Sequence, residues 1–108
     1  FYVIGFLTPR QEPSVHAIND IIAAKANLEA WNRPILLLTT AEGLGWLKEY
    51  SASLPSNVHL GIIPDSLDLK GRRMPYFLLA DTFNRVFFTT EGYTIGLGDQ
   101  LVTAIAKL

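Results

Sequence analysis

The feature that most constrains the fold of this chain is a pair of short, almost wholly apolar segments on either side of a long amphipathic segment. Tyr2–Leu7 and Ile35–Leu38 are apolar at nearly every position, which is typical of short strands buried on both faces. Between them, Val15–Trp31 carries apolar side chains at spacings of three and four residues, which predicts a helix of 17 residues. A strand, a helix and a strand in this order predict a right-handed parallel βαβ unit.

Turn and capping residues predict where the helices of the first half begin and end. Pro13-Ser14 precedes the long helix, with the Ser14 hydroxyl as its N-cap, and Asn32-Arg33-Pro34 ends it. The run Thr39-Thr40-Ala41-Glu42 matches a capping box, so a second, shorter helix is predicted to follow it. The apolar face of that helix carries Leu44, Leu47 and Tyr50.

The second half of the chain predicts three more strands and a final helix. Val58–Ile63 is predicted as a strand, and Pro64–Arg73 as a polar connection. Tyr76–Ala80 and Val86–Thr89 are separated by five residues, so they are predicted to form an antiparallel hairpin. The last helix is predicted to begin at residue 98 or 99. Its apolar face carries Leu101, Ile105 and Leu108.

The predicted order, β-α-β-α-β-β-β-α, belongs to the α/β class. It favours a mixed sheet of about five strands with helices on both faces, a three-layer α/β/α domain. Residues 1–108 suit a single domain. Because the chain opens inside a strand without an initiator Met, we expect it to be part of a longer protein.

Charge and hydropathy exclude several classes of partner. Nine Lys and Arg against ten Asp and Glu give a net charge of −1, which argues against a nucleic-acid footprint and a polybasic membrane anchor. No apolar run approaches the roughly 20 residues that cross a bilayer, so membrane insertion is not expected.

The C-terminal third resembles a known family. Arg73-Met74-Pro75-Tyr76, the strand that follows, the hairpin, Gly92-Tyr93 and the terminal helix are similar to the signature of thioredoxin-fold domains. The additional strand Val58–Ile63 resembles the TlpA-like and peroxiredoxin-like branch. The resemblance implies that the Met74–Pro75 peptide bond is cis, that this loop faces a redox motif, and that the protein lies in a bacterial periplasm or cell envelope.

The chain departs from that family where the family's chemistry resides. Aligning the first helix places Pro9, Arg10, Gln11 and Glu12 over the Cys-x-x-Cys motif, and the chain contains no cysteine. Thiol–disulfide exchange needs a thiolate nucleophile, so this chemistry is excluded. We therefore expect a redox-inactive thioredoxin-like module that is not an enzyme, serving domain packing or protein and peptide binding, without a cofactor.

Candidate contact residues follow from the same positions. Thr8 and Tyr76 flank the expected cleft, and Phe83 lies in the hairpin turn, where an aromatic side chain indicates contact with a neighbouring domain or another protein. The loop from Thr8 to Pro13 is either a retained binding groove or an ordinary solvated connection.

A non-redox enzyme in the same cleft is the alternative hypothesis. Glu12 could orient His16 as an acid–base pair, with Arg72 or Arg73 binding a carboxylate or phosphate. The only other histidine, His59, lies in a predicted strand, and no spacing of ligands indicates a metal site.

Overall fold

In the computed structural model, which describes all 108 residues, five strands form one sheet. The strands are β1 (Tyr2–Phe6), β2 (Ile35–Thr39), β3 (Val58–Ile62), β4 (Tyr76–Ala80) and β5 (Val86–Glu91). The helices are α1 (Glu12–Ala23), α2 (Lys25–Trp31), α3 (Leu44–Lys48) and α4 (Leu97–Ala106). The strand order is β3-β2-β1-β4-β5, so β1 is central and β3 and β5 are the edges.

The pairing of the strands confirms the predicted class and connections. β1 pairs in parallel with β2 and antiparallel with β4, and β4 forms an antiparallel hairpin with β5. The α/β class, the mixed five-stranded sheet and the parallel βαβ unit are therefore as predicted. The register places Phe6 beside Leu38 on one side and Tyr76 on the other.

The predicted single helix from Val15 to Trp31 is divided into α1 and α2 at Ala24. The Ala24 N–H bonds to the carbonyls of both Asp20 and Ile21, which tightens the last turn of α1. No Pro or Gly marks this break. The apolar spacing also continues across it to Leu28, so periodicity alone predicts one helix.

Both predicted N-caps are wrong, because their hydroxyls bind elsewhere. α1 begins at Glu12, and Ser14 lies buried in its first turn, where its Oγ accepts a hydrogen bond from the Thr8 N–H at 2.9 Å. The Thr39 hydroxyl donates to the Leu7 carbonyl at 2.8 Å and fastens β2 to β1. Thr40 instead accepts the Gly43 N–H at 3.1 Å, ahead of α3.

One face of the sheet holds the core, and all four helices contribute to it. The strands supply Val3, Ile35, Leu37, Phe77 and Leu79, and the helices supply Ala17, Ile18, Ile21, Leu28, Trp46, Leu47, Leu97 and Leu101. From β1 to β2 to β3 the chain advances across the sheet in one direction, so right-handed crossovers put the connecting helices on the same side.

The opposite face of the sheet is contacted by the segment predicted as a polar connection, whereas the predicted element order favoured helices on both faces. Side chains on this face such as Ile4, Leu36 and Leu78 are half-buried, so these strands are fully buried on one face only. The irregular segment 63–75 contacts this face through Arg72, whose guanidinium lies 5.4 Å from the centre of the Tyr76 ring.

The terminal helix begins at Leu97, one or two residues earlier than predicted. Leu97 and Leu101 face the core, but Leu108 lies beyond the helix and is 44 % exposed, so its predicted place on the apolar face is wrong. None of the helices is both long enough and apolar enough to cross a bilayer.

Candidate functional site

Three loops meet at one end of the sheet. Phe6, the last residue of β1, pairs with Tyr76, the first residue of β4, and Tyr76 pairs with Glu91, the last residue of β5. The segments that follow β1, precede β4 and follow β5 therefore lie together. We call this region the cleft; it comprises residues 8–12, 72–76 and 92–93.

The β1–α1 loop, which the family resemblance aligns with the redox motif, is fixed by two hydrogen bonds of its backbone N–H groups and by one packing contact. The Thr8 N–H donates to Ser14, and the Gln11 N–H donates to the Thr8 carbonyl at 3.4 Å. Pro9 packs against Gly43. Arg10 adopts a left-handed conformation with φ of 61°, and its side chain is exposed, like those of Gln11 and Glu12. The loop thus exposes three polar side chains, while its backbone is anchored to the buried Ser14.

The facing wall of the cleft is the loop before β4. The Met74–Pro75 peptide bond is cis, as the family resemblance implies. The Gly92 N–H donates to the carbonyls of both Arg73 and Pro75, at 3.1 and 2.9 Å, and so ties this loop to the end of β5. Neither the N–H nor the C=O of Met74 makes a hydrogen bond within the chain, although the residue is half-buried.

An aromatic and ionic cluster borders the same loop. The Tyr76 ring stacks on Phe6 with centroids 6.0 Å apart, and the Arg72 guanidinium also lies over the Tyr76 ring. Arg72 Nη1 donates to Glu91 Oε1 at 2.7 Å. This hydrogen bond raises the pKa of Arg72 and lowers the pKa of Glu91. Arg72 is thereby engaged by Glu91 and Tyr76.

A second polar group lies on α1 beside the cleft. His16 Nε2 is 3.5 Å from Glu12 Oε1, and the imidazole packs on Tyr93 with ring centroids 5.3 Å apart. The Tyr93 hydroxyl donates to Asp20 Oδ2 at 3.1 Å. Burial, followed by this hydrogen bond, raises the pKa of Tyr93. The predicted contact of Glu12 with His16 is present, while Arg72 is bonded to Glu91 instead.

The structure separates Phe83 from the other candidate residues. Thr8–Glu12, Met74, Pro75 and Tyr76 lie at the cleft, whereas Phe83 lies in the β4–β5 turn at the opposite end of the hairpin and is 78 % exposed. Asp20 was missed by sequence reasoning. The spacing Glu12, His16, Asp20 along one helix face is the signal that would have found it.

The turn that presents Phe83 is organised by Asp81. This buried carboxylate accepts hydrogen bonds from the N–H groups of Phe83 and Arg85 and from Arg85 Nε, at 2.9, 3.0 and 2.6 Å. Burial acts to raise the pKa of Asp81, but the hydrogen bonds from Arg85 and Phe83 together outweigh it, so the pKa lies below its ordinary value.

The lowered pKa of Asp81 predicts acid sensitivity. Its contribution to stability is full above the unfolded-state pKa of about 3.9 and is lost as the pH falls through the lower folded-state value. Asp81→Asn should therefore be less stable at neutral pH and should lose less stability below about pH 4 than the original chain. Urea denaturation between neutral and acid pH tests this. Asp65→Asn, at an exposed loop position, is the matched control and should leave the profile unchanged.

No group of three His, Asp or Glu side chains in the structure is arranged to hold a metal ion. The cleft itself presents exposed polar side chains and the unpaired N–H and C=O of Met74. These can bind a ligand through hydrogen bonds and charge.

Comparisons with known proteins find likeness in structure only. No protein-family model and no curated protein matches the chain. Among solved structures it is similar to a protein assigned as the thiol:disulfide interchange protein DsbE from Chlorobium tepidum, with a TM-score of 0.73 and 15 % identity over 98 % of this chain and 77 % of that one.

Two further solved structures are similar over nearly the whole chain. The exposed lipoprotein thioredoxin Etrx1 from Streptococcus pneumoniae strain TIGR4 has a TM-score of 0.68 and 14 % identity, over 99 % of this chain and 84 % of that one. StoA from Bacillus subtilis has a TM-score of 0.65 and 13 % identity, over 95 % of this chain and 80 % of that one.

Proposed function

We propose that this chain, a thioredoxin-like domain without cysteines, is a redox-inactive module of a larger protein that binds an extended protein segment at the cleft. The predicted thioredoxin-like fold is confirmed by the likeness to three solved structures. Thiol–disulfide exchange requires a thiolate, which this sequence cannot supply. A scaffold that retains the cleft and has lost this chemistry is suited to binding.

The unpaired backbone of Met74 is the observation that carries the proposal. Buried peptide groups are nearly always hydrogen-bonded, and the N–H and C=O of the half-buried Met74 have no partner within the chain. They lie at the wall of the cleft, two residues before the start of β4. An extended segment passing along the cleft would pair with both groups as one strand pairs with another.

The charges around the cleft favour an acidic segment. Arg10 and Arg73 form no salt bridge, and Glu91 is already paired with Arg72. Two guanidinium groups outside any salt bridge therefore border the path of the bound segment, together with one exposed carboxylate, that of Glu12, which lies 3.5 Å from His16. Guanidinium groups bind carboxylates through paired hydrogen bonds, so Asp or Glu side chains in the segment would be recognised.

Titration with extended peptides tests the proposal. We expect a peptide rich in Asp and Glu to shift the backbone NMR signals of residues 8–12, 74–76 and 92–93 and to slow amide hydrogen exchange at Met74. A peptide with Lys in place of the acidic residues should bind more weakly. Silent signals in all three segments with every peptide would contradict the proposed function.

A pair of matched substitutions checks the role of charge. Arg73→Gln should weaken binding of the acidic peptide by about two- to fivefold, the range of one exposed ion pair. Arg33→Gln makes the same change at an exposed position after α2, away from the cleft, and should leave the affinity unaltered. Equal effects of both variants would indicate nonspecific attraction.

Dithiol-dependent insulin reduction by the chain would contradict its redox inactivity.

A location in the bacterial cell envelope forms part of the proposal. It is supported by the three bacterial structures, one of which is named as an exposed lipoprotein. The neighbouring domain of the parent chain, or another protein of the envelope, would then supply the bound segment. Fractionation of the source organism with an antibody to residues 1–108 would test the location, and recovery in the cytoplasm would contradict it.

A further inference from the structure

The edge strand β5 is unusually open for a sheet edge. Its side chains Val86 and Phe87 are 56 % and 48 % exposed, and the strand contains neither Lys nor Pro. Monomeric proteins commonly protect edge strands with such residues or with bulges. The one irregularity of the β4–β5 ladder lies near its start, at Leu79/Ala80, and leaves the rest of β5 regular.

The hydrogen-bond pattern shows which backbone groups of β5 face outward. Tyr76 pairs with Glu91, and the Gly92 N–H donates to the Pro75 carbonyl, which makes Tyr76 and Glu91 a non-hydrogen-bonded pair. Leu78 and Thr89, two residues along, form the next such pair. The backbone N–H and C=O of Thr89 and Glu91 therefore point away from β4, toward an absent neighbour.

A groove of about 500 Å³ runs between this edge and α4. It is lined by Phe87, Phe88, Asp99, Gln100, Thr103, Ala104, Lys107 and Leu108. Its apolar residues come from β5 and the C-terminal end of the chain. Asp99 and Lys107, both exposed, carry opposite charges about 12 Å apart along α4. Neither residue forms a salt bridge within the chain.

We propose that a second copy of this chain covers β5 and the groove in a symmetric dimer. A two-fold axis midway between Thr89 and its copy, perpendicular to the sheet, pairs β5 with its own copy in antiparallel fashion. The outward N–H and C=O of Thr89 in each copy then hydrogen-bond to the C=O and N–H of Thr89 in the other copy. The two sheets become one continuous sheet. This geometry follows from the symmetry of homodimers, in which the same surface meets itself.

Charge complementarity selects a second copy as the occupant. The same two-fold axis sets the two α4 helices antiparallel on one face of the joined sheet. Asp99 of one copy then faces Lys107 of the second copy, and the reverse, so two ion pairs form across the interface. Val86, Phe87 and Leu108 are withdrawn from water in both copies. Thr89 and the groove lie outside the cleft, so the dimer does not rest on the proposed binding function.

Sedimentation velocity of charge variants tests the dimer. The original chain should associate with concentration. Asp99→Lys and Lys107→Glu should each weaken self-association about tenfold, because both ion pairs change from attraction to repulsion. An equimolar mixture of the two single variants, and the double variant Asp99→Lys/Lys107→Glu, should recover the original association. Added salt should reduce these differences.

A backbone variant and a control complete the test. Thr89→Pro removes the central outward N–H of β5 without removing a bond to β4, and should weaken association at least as much as the charge variants. Glu49→Lys makes a similar charge change at an exposed position after α3 and should have no effect. A chain that is monomeric at millimolar concentration would overturn the proposal. So would a dimer insensitive to Thr89→Pro and Asp99→Lys, or capture of an extended peptide by β5 of a monomer.

Discussion

Replacing Phe77 with alanine is expected to lower the free energy of unfolding by about 3–5 kcal/mol. The ring lies in β4 with no exposed area and packs against Gly5 of the central strand, where a Cβ atom would overlap it. Truncation leaves a cavity between two paired strands whose backbones are fixed by their hydrogen bonds. For a domain of this size the loss is a large part of the total stability. Equilibrium urea denaturation measures it.

Phe83→Ala is the matched control, since it removes the same side chain from the surface. Phe83 is 78 % exposed in the β4–β5 turn, where its contact is with the guanidinium of Arg85. Its substitution should change the free energy of unfolding by less than about 0.5 kcal/mol. A loss similar to that of Phe77→Ala would contradict the placement of the core on the α1 side of the sheet.

Gly98→Ala is expected to destabilise the protein by about 1–3 kcal/mol. Gly98 lies at the N-terminal end of α4, where a Cβ atom would be 2.8 Å from the carbonyl oxygen of Asp20 in α1. That oxygen belongs to the backbone, so it cannot rotate aside as a side chain would. The two helices would have to separate, which would open the core around Leu97 and Leu101. Thermal or urea denaturation measures the change.

Gly45→Ala makes the same substitution in a helix with free space around it. Gly45 lies in α3, and a Cβ atom would meet nothing within 4 Å. Because alanine favours the helix over glycine, this variant should be more stable by about 0.5–1 kcal/mol. The two Gly→Ala variants should thus change stability in opposite directions. A loss of stability in both would show that local conformation, and not the approach of α1 to α4, limits position 98.

The strands were predictable because their signal is local. Tyr2–Phe6, Ile35–Thr39 and Tyr76–Ala80 are short apolar runs between turn residues, and the short turn before Val86 permits only a hairpin. The helix caps were not predictable, because the hydroxyls of Ser14, Thr39 and Thr40 can each hydrogen-bond to several nearby backbone groups. Which one they bind depends on how β1, β2 and α1 approach each other. The break at Ala24 likewise follows from tertiary packing, without a local signal.

The cleft was predictable in part. The strand-to-helix junction at Pro9–Glu12 and the Met74–Pro75 loop could be recognised as its two walls from the family resemblance. The sequence did not predict the hydrogen bond of Tyr93 to Asp20 or the pairing of Arg72 with Glu91, because the partners in each pair are distant in sequence. Their contacts depend on the register of β4 with β5, because a shift of one residue would move every side chain of the shifted strand to the opposite face of the sheet.

The sequence by itself determined the α/β class, the order of the strands and the absence of a thiol group, because apolar patterning and residue identity do not depend on tertiary packing. Only the tertiary structure decided that all four helices share one face of the sheet. It also left the Met74 peptide group without a partner and β5 as an open edge beside α4. These features arise from crossover handedness and strand register, which join residues far apart in the chain.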